Sequence, residues 1–441
     1  MRSFLFLLAL LPTALPALGQ NVHTHPLPPP EGPVVLVNAR IHPVSRGVIE
    51  DGRLRMEDGR IVAVGGEEVS LAGAKVIDLG GLSVYPGLIA ANSVLGLVEI
   101  EAVRATVDQT EVAAVAPEVR AEIAFNPDSE LIPVTRANGV LSVLVRPQPG
   151  EGSLITGRSA LMALDGWTWE DMRIAGPVAL HLAWPSEFVP EGLPDTMREE
   201  WLKAVRERRR RLDLSFAEAR AYAKAPPPAL PDLRWEAMRG LFDGSLPLFI
   251  HADDASAIEQ ALAFAREQQV RAVLVGGAEA WKVAATLRQD GVPVILGGTH
   301  VLPLRRHDPV DAVFANALRL HEAGVRFAIA SPGDAFSSSN ERNLPYQAAS
   351  AVAHGLPHEE GLRAITLYPA QILGVDDRLG SLDPGKDATL FVADGDPLEV
   401  STRVLRAFVR GREVDLDNRH LRLYEKYRAK YRQAGGGPGQ P

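Results

Sequence analysis

Between residues 33 and 85 the chain alternates short apolar and polar positions in VVLVNARIHPV, GVIEDGRLRMEDGRIVAVG and AKVIDLGGLSVYPG, with EDGR and LGG as punctuation. A period of two broken by turn residues predicts short strands and hairpins, so this stretch reads as a small β unit. Beyond Pro86 the texture changes. LSVLVRPQ (141–148), PVALHLAWP, LPLFIHADD, VRAVLVGGAEAW, VPVILGGTH and VRFAIASPGD are apolar runs that end in polar or glycine-bearing loops and alternate with helical patterns. That alternation predicts βα units around a parallel sheet. Counted with the strand at Pro86-Gly87, these runs approach the eight of a barrel, whose chemistry sits at the strand C-terminal ends. Residues 195–224 read as one helix, and its Arg206, Arg208, Arg209, Arg210 and Arg211 share it with Glu199, Glu200, Glu207 and Glu218, as on a solvated face. APPPALP (225–231) breaks it. Strands return after Gly374 in DATLFVADG and RVLRAFVRGREV, and a charged helix is expected from about Leu416 to Arg432, ahead of a flexible GGGPGQP tail.

The expected fold is therefore α/β: a (β/α)8 TIM-like barrel over 86–378, with a small β-sandwich built from 33–85 and 379–416 and a helix with a tail over 417–441. The composition agrees. In 441 residues, 46% hydrophobic and 23% charged, disorder and collagen are excluded. A net charge of -9 supplies no cationic field, which argues against nucleic acid as a partner. Zero cysteine removes thiolate metal sites, a cysteine nucleophile and disulfides. At the N-terminus, Met1 and Arg2 precede an apolar run from Phe4 to Leu15 with small residues at Ala17 and Gly19. Residues 1–19 thus read as a secretory signal cleaved before Gln20, and the mature protein is expected to be periplasmic or secreted and soluble. No later apolar run is long enough for a membrane span. Residues 20–32, QNVHTHPLPPPEG, read as an extended linker whose His23 and His25 are solvated.

Several motifs resemble one family. Thr366-Leu-Tyr-Pro-Ala-Gln-Ile-Leu-Gly374, then Gly380-Ser-Leu-Asp-Pro-Gly-Lys-Asp-Ala388, DGDPLE (394–399) and VRGREV (409–414) resemble the return from barrel to sandwich in the amidohydrolase superfamily, in its imidazolonepropionase-like branch. Tyr85-Pro86-Gly87-Leu88-Ile89 resembles that family's entry into the first barrel strand, so the resemblance covers about residues 33–416. It implies hydrolysis of carbon–nitrogen bonds in a small amide or cyclic amide, and a possible homo-oligomer. It also implies a divalent metal ion, zinc first, held at strand ends by imidazoles and carboxylates, which lowers the pKa of a bound water and polarises the scissile carbonyl.

The ligand positions depart from the pattern. Asp-x-His-x-His is expected after the first strand, and Ala90-Ala91-Asn92-Ser93-Val94 stands there. At the fifth strand His251 is kept, followed by Asp253 and Asp254. Ala278, beside Glu279, occupies the sixth-strand ligand position, and Pro332 the eighth-strand aspartate, with Asp334 two residues on. His181 in ALHLAWP lies where a bridging lysine is expected. With a single expected ligand kept, a conventional binuclear site is not expected. Two readings stay open. One is a rebuilt hydrolase site with His251 and Asp334 catalytic, Asn92, Glu99, Arg158 and His300 binding substrate, and His251 with Asp253 holding one metal ion, or none. The other is a non-catalytic ligand-binding or scaffold protein on the same fold. No Gly-x-Ser-x-Gly elbow, phosphate loop or His-Glu-x-x-His helix occurs.

Overall fold

The computed structural model describes residues 25–189 and 192–433. The expected signal, His23 and the terminal GGGPGQP lie outside the described residues. Five strands open the chain: β1 (Val34–Ile41), β2 (Ile49–Glu57), β3 (Arg60–Gly65), β4 (Lys75–Asp78) and β5 (Ser83–Pro86). Eight follow: β6 (Leu88–Ser93), β7 (Val140–Val145), β8 (Ile155–Ala163), β9 (Arg173–Ala183), β10 (Leu248–Ala252), β11 (Ala272–Gly276), β12 (Val294–Leu296) and β13 (Phe327–Ile329). The last three are β14 (Leu390–Ala393), β15 (Val404–Val409) and β16 (Arg412–Val414).

Both chain ends build one sheet, in the order β16-β15-β14-β5-β1-β2-β3 with β4 added beside β1. Hydrogen bonding runs through all eight strands, so residues from both chain ends form the separate β domain expected. The hairpin between β2 and β3 turns on Asp58 (φ 50°) and Gly59 (φ 79°). Two successive positive φ values make the tight turn whose twist matches its strands, which is why Asp-Gly stands there. Leu36, Ile41, Leu54, Met56, Val84, Leu390 and Phe408 form the core of this sheet domain.

The second sheet runs β13-β12-β11-β10-β9-β8-β7-β6 and curls into a TIM-like barrel. Its neighbours are parallel except at β8, which lies antiparallel to both β7 and β9. Arg158, offered by the sequence as a substrate-binding residue, lies with Gly157 and Ser159 inside this reversed strand. Its glycine (φ 128°) packs against Val119, and that backbone irregularity is what hid the strand in the sequence. Among the described residues no ladder joins β13 to β6. The seam is bridged instead: Ile89 N–H donates to the Ile365 carbonyl and Ile329 N–H to that of Ala364, both at 2.9 Å.

Alternation sets the barrel interior. Ile89, Leu144, Leu161, Ala179, Phe249, Val273, Ile295 and Ala328 pack together inside, while their sequence neighbours face the helices. The helix Asp195–Lys224 occupies the expected residues and buries Val205, Leu212, Phe216 and Ala219. This spacing makes one helical stripe. Arg209 departs from the expected solvated face: it donates to the Pro185 carbonyl at 3.0 Å and lies over the Trp184 ring. The last helix, Arg419–Gln433, begins three residues later than expected because the Asn418 side chain caps the His420 and Leu421 N–H groups.

Candidate active site

The interior parity of the barrel predicts which side chains meet at its C-terminal mouth. Extending the inward positions by two residues along β7, β9 and β10 leads from Leu144 to Arg146, from Ala179 to His181 and from Phe249 to His251. These are polar groups at the top of an apolar cylinder. His181 and Arg146 are buried, 1% and 4% exposed, while His251 retains partial access to solvent. His181 Nδ1 and His251 Nε2 are 2.9 Å apart and share a hydrogen bond. The His181 ring meets Phe249 edge-on, and its Nε2 is buried without a hydrogen-bond partner. Burial first, then the Arg146 charge, holds both imidazoles well below their ordinary pKa, so the pair is neutral at neutral pH.

Arg146 ties the mouth together. Its Nε donates to Asn92 Oδ1 at 2.5 Å, Nη1 to the Pro147 carbonyl at 3.2 Å and Nη2 to the Gly333 carbonyl at 3.2 Å. Gln148 Nε2 donates to the same Gly333 oxygen. Burial lowers the guanidinium to about 10 while the Asp334 carboxylate opposes that shift, so Arg146 remains charged at neutral pH. Asn92 in turn donates from Nδ2 to the carbonyls of Ser331 (3.1 Å) and Pro332 (3.0 Å), crossing the seam between β6 and β13. Gly333 has φ 77°, and a Cβ there would stand 2.4 Å from Asn92 Nδ2, so this position requires glycine.

Beneath this lies Glu341, fully buried. Its two oxygens accept from Ser93 Oγ and Ser331 Oγ, each at 2.8 Å, one hydroxyl from either side of the seam. Burial raises the carboxyl to about 7 against the pull of those hydroxyls. At the rim, Asp253 reaches solvent inside the mouth and accepts from Ala278 N–H at 3.2 Å; the protein around it raises its carboxyl. Asp334 accepts from Ser337 N–H and Oγ, both at 2.7 Å, and so caps the short helix Ala335–Ser338. A cleft of about 670 Å³ lies over the loops after β9, β10 and β12, lined by Phe188, Arg198, Asp254, Leu304 and Arg305.

Of the residues singled out from sequence, His251 and Asn92 belong to this cluster and Asp334 stands at its edge through its field on Arg146. Three others are engaged elsewhere. Glu99 pairs with Asn126 at 3.5 Å, Arg158 donates to the Glu118 carbonyl at 3.0 Å, and His300 bonds Ser350 at 2.7 Å. Glu279 is buried and paired with Lys282 (2.7 Å) and Arg305 (2.6 Å). Sequence reasoning passed over Arg146, Gln148 and Glu341. A signal for the first was present: a charged residue directly after the apolar run of β7, at the catalytic end of a barrel strand. Glu341 carries no such signal.

A family-type divalent cation does not fit these donors. A metal site of this kind takes three or more protein ligands, and among the described residues no group of three His, Asp or Glu converges. The two facing imidazole nitrogens are bonded to each other, and Asn92 Oδ1 already accepts from a guanidinium.

Comparison with known proteins places the chain. The amidohydrolase family model matches residues 170–415. An imidazolonepropionase from Syntrophobacter fumaroxidans is 29% identical over 218 residues, 48% of this chain and 47% of that protein. The imidazolonepropionase of Sphingopyxis alaskensis is 29% identical over 161 residues, 36% of this chain and 38% of its own length. The matched stretches thus span less than half of these curated relatives. A solved amidohydrolase from Thermotoga maritima, 25% identical, superposes with a TM-score of 0.74 over 87% of this chain and 99% of its own. With more than half of its length matched by the family model, the chain belongs to the amidohydrolase family.

Proposed function

We propose that this protein hydrolyses carbon–nitrogen bonds of small amides or cyclic amides at the mouth of its barrel. The observation that carries the reading is the neutral His181–His251 pair at adjacent strand ends, one ring buried and the other partly open to solvent, on a chain of this family. Two neutral imidazoles hold two ring protons, and one of these is spent in the bond between them. With His251 Nε2 donating to His181 Nδ1, the other ring proton sits on the buried His181 Nε2 and His251 Nδ1 presents a lone pair. That lone pair takes a proton from water as the water oxygen bonds to the amide carbon, and returns it to the nitrogen as the carbon–nitrogen bond breaks, so the pair ends neutral, as it began. Burial keeps this base in its unprotonated form at neutral pH.

The curated relatives carry the name imidazolonepropionase, so an imidazolone bearing a propionate is the first cyclic amide to try. Export belongs to the same proposal and rests on residues 1–19; cell fractionation tests it. For the activity, purified protein is assayed against a panel of cyclic and linear amides, with His251→Asn and His181→Asn beside it. Each variant is expected to lose on the order of 100-fold in turnover with its fold intact by circular dichroism. Absence of turnover on the whole panel, or full activity in both variants, refutes the reading.

A further inference from the structure

We propose that the Arg146 guanidinium takes the place of a divalent cation at the barrel mouth, so that the site carries its positive charge covalently and takes up no metal. The part concerning metal stands on the geometry alone; the guanidinium's role toward a substrate rests on the hydrolase reading.

Position is the first argument. Arg146 is held by Asn92 on the β6 side and by the Gly333 carbonyl on the β13 side. Two of the expected ligand positions, those of the first and eighth strands, lie on these staves, and the guanidinium already joins them. The backbone is fitted to it, since the Gly333 carbonyl is presented by a left-handed residue that tolerates no Cβ beside Asn92. Charge is the second. The field of Arg146 acts on both His181 and His251, so a metal ion drawn to the imidazoles would meet a permanent positive charge as well as a hydrogen bond it must break. In a partly buried site a unit charge and a dication repel each other, which works against what two neutral nitrogens return.

Stoichiometry of donors is the third. A guanidinium carries five N–H protons, and three are engaged, all by neutral oxygens of Asn92, Pro147 and Gly333. Among the described residues no carboxylate forms an ion pair with Arg146; Asp334 acts on it only through its field. Buried charges are ordinarily paired. The two remaining N–H protons suit the carbonyl oxygen of an amide, or the negative oxygen that replaces it once water has added. This is the electrostatic service that a bound cation gives in related chemistry.

The test uses the full-length purified protein and zinc alone as the probe. The wild type is expected to hold no stoichiometric zinc, iron or manganese by elemental analysis, before or after dialysis against zinc, and its melting midpoint is expected to ignore both zinc and a chelator. Arg146→Ala removes the charge and frees Asn92 Oδ1; its zinc affinity in equilibrium dialysis is expected to rise on the order of 100-fold over wild type. Arg146→Lys keeps the charge and is expected to stay at the wild-type value. Added guanidinium ion is expected to restore turnover to Arg146→Ala, which a merely structural arginine would not allow. Should Arg146→Ala fail to fold, the wild-type dialysis decides. Stoichiometric zinc in the wild type, or no gain of zinc in a folded Arg146→Ala, overturns the proposal. Zinc-dependent turnover would overturn it and leave the hydrolase reading in place, whereas absence of both metal and turnover would remove that reading and leave the assignment of Arg146 standing.

Discussion

Replacing Glu341 by Gln isolates one buried ionisation from the rest of the protein. Glu341 sits with no solvent access between Ser93 and Ser331, and its carboxyl is raised from 4.5 to about 7. A carboxyl raised on folding binds its proton more tightly in the native state, so its stabilisation is complete below pH 4.5 and is lost as pH rises toward 7. The slope in that window is about 1.4 kcal/mol per pH unit, and the whole span comes to about 3 kcal/mol. Gln has the same shape, can accept from one serine and donate to the other, and does not titrate. His181 and His251 titrate in the opposite sense: their lowered pKa values withdraw stability as pH falls below 6.5. That contribution acts only below about pH 6.5 and so leaves the comparison at pH 8 untouched. Urea unfolding of wild type and Glu341→Gln, followed by tryptophan fluorescence from pH 5 to pH 8, gives the difference directly. The two should be of similar stability at pH 5, and the variant should be more stable by roughly 2–3 kcal/mol at pH 8. Parallel profiles would refute the placement of a desolvated carboxyl at the seam.

Gly333→Ala adds a Cβ 2.4 Å from Asn92 Nδ2 at φ 77°, and is expected to cost roughly 1–3 kcal/mol in urea unfolding and to loosen Arg146. Glu279→Ala leaves Arg305 and the Ala255 N–H without their carboxylate; because Glu279 is buried, a loss of roughly 2–4 kcal/mol is expected by the same measurement, and none beyond about 1 kcal/mol if the pairs behave as surface bridges.

What could be read from the sequence follows from which interactions are local. The barrel strands β7, β9, β10, β11, β12 and β13 announce themselves because each is an apolar run ended by a loop, and burial on both faces forces that composition. The helix 195–224 announces itself through its charges and the proline run that ends it. β8 did not, because a glycine at φ 128° and an arginine interrupt it, and a reversed strand breaks the βα rhythm used to count. The site divides in the same way. His251 is visible at its strand end and Asn92 at a matched motif position. Arg146 gains its meaning from Asn92, 54 positions away, and Glu341 in part from Ser93, 248 positions away. Spacing within one element cannot report a partner brought in by barrel closure.

That closure also explains why the polar groups cluster where they do. A barrel sheet removes its edges by joining the last strand to the first, and here, among the described residues, the join lacks a ladder. The free edges of β6 and β13 must find partners elsewhere. Near the base, the carbonyls of Ala364 and Ile365 supply them. Toward the mouth, Asn92 reaches across to the Ser331 and Pro332 carbonyls, Glu341 clasps Ser93 and Ser331, and Arg146 joins Asn92 to Gly333. The groups that close the barrel are therefore the groups that set the charge and orientation of its mouth, and no perturbation can reach one without the other. A substitution at Glu341 should shift the imidazole pair through Asn92 and Arg146 even though Glu341 touches neither histidine, and the size of that shift, read by the pH dependence of turnover in Glu341→Gln, measures how tightly seam and site are coupled.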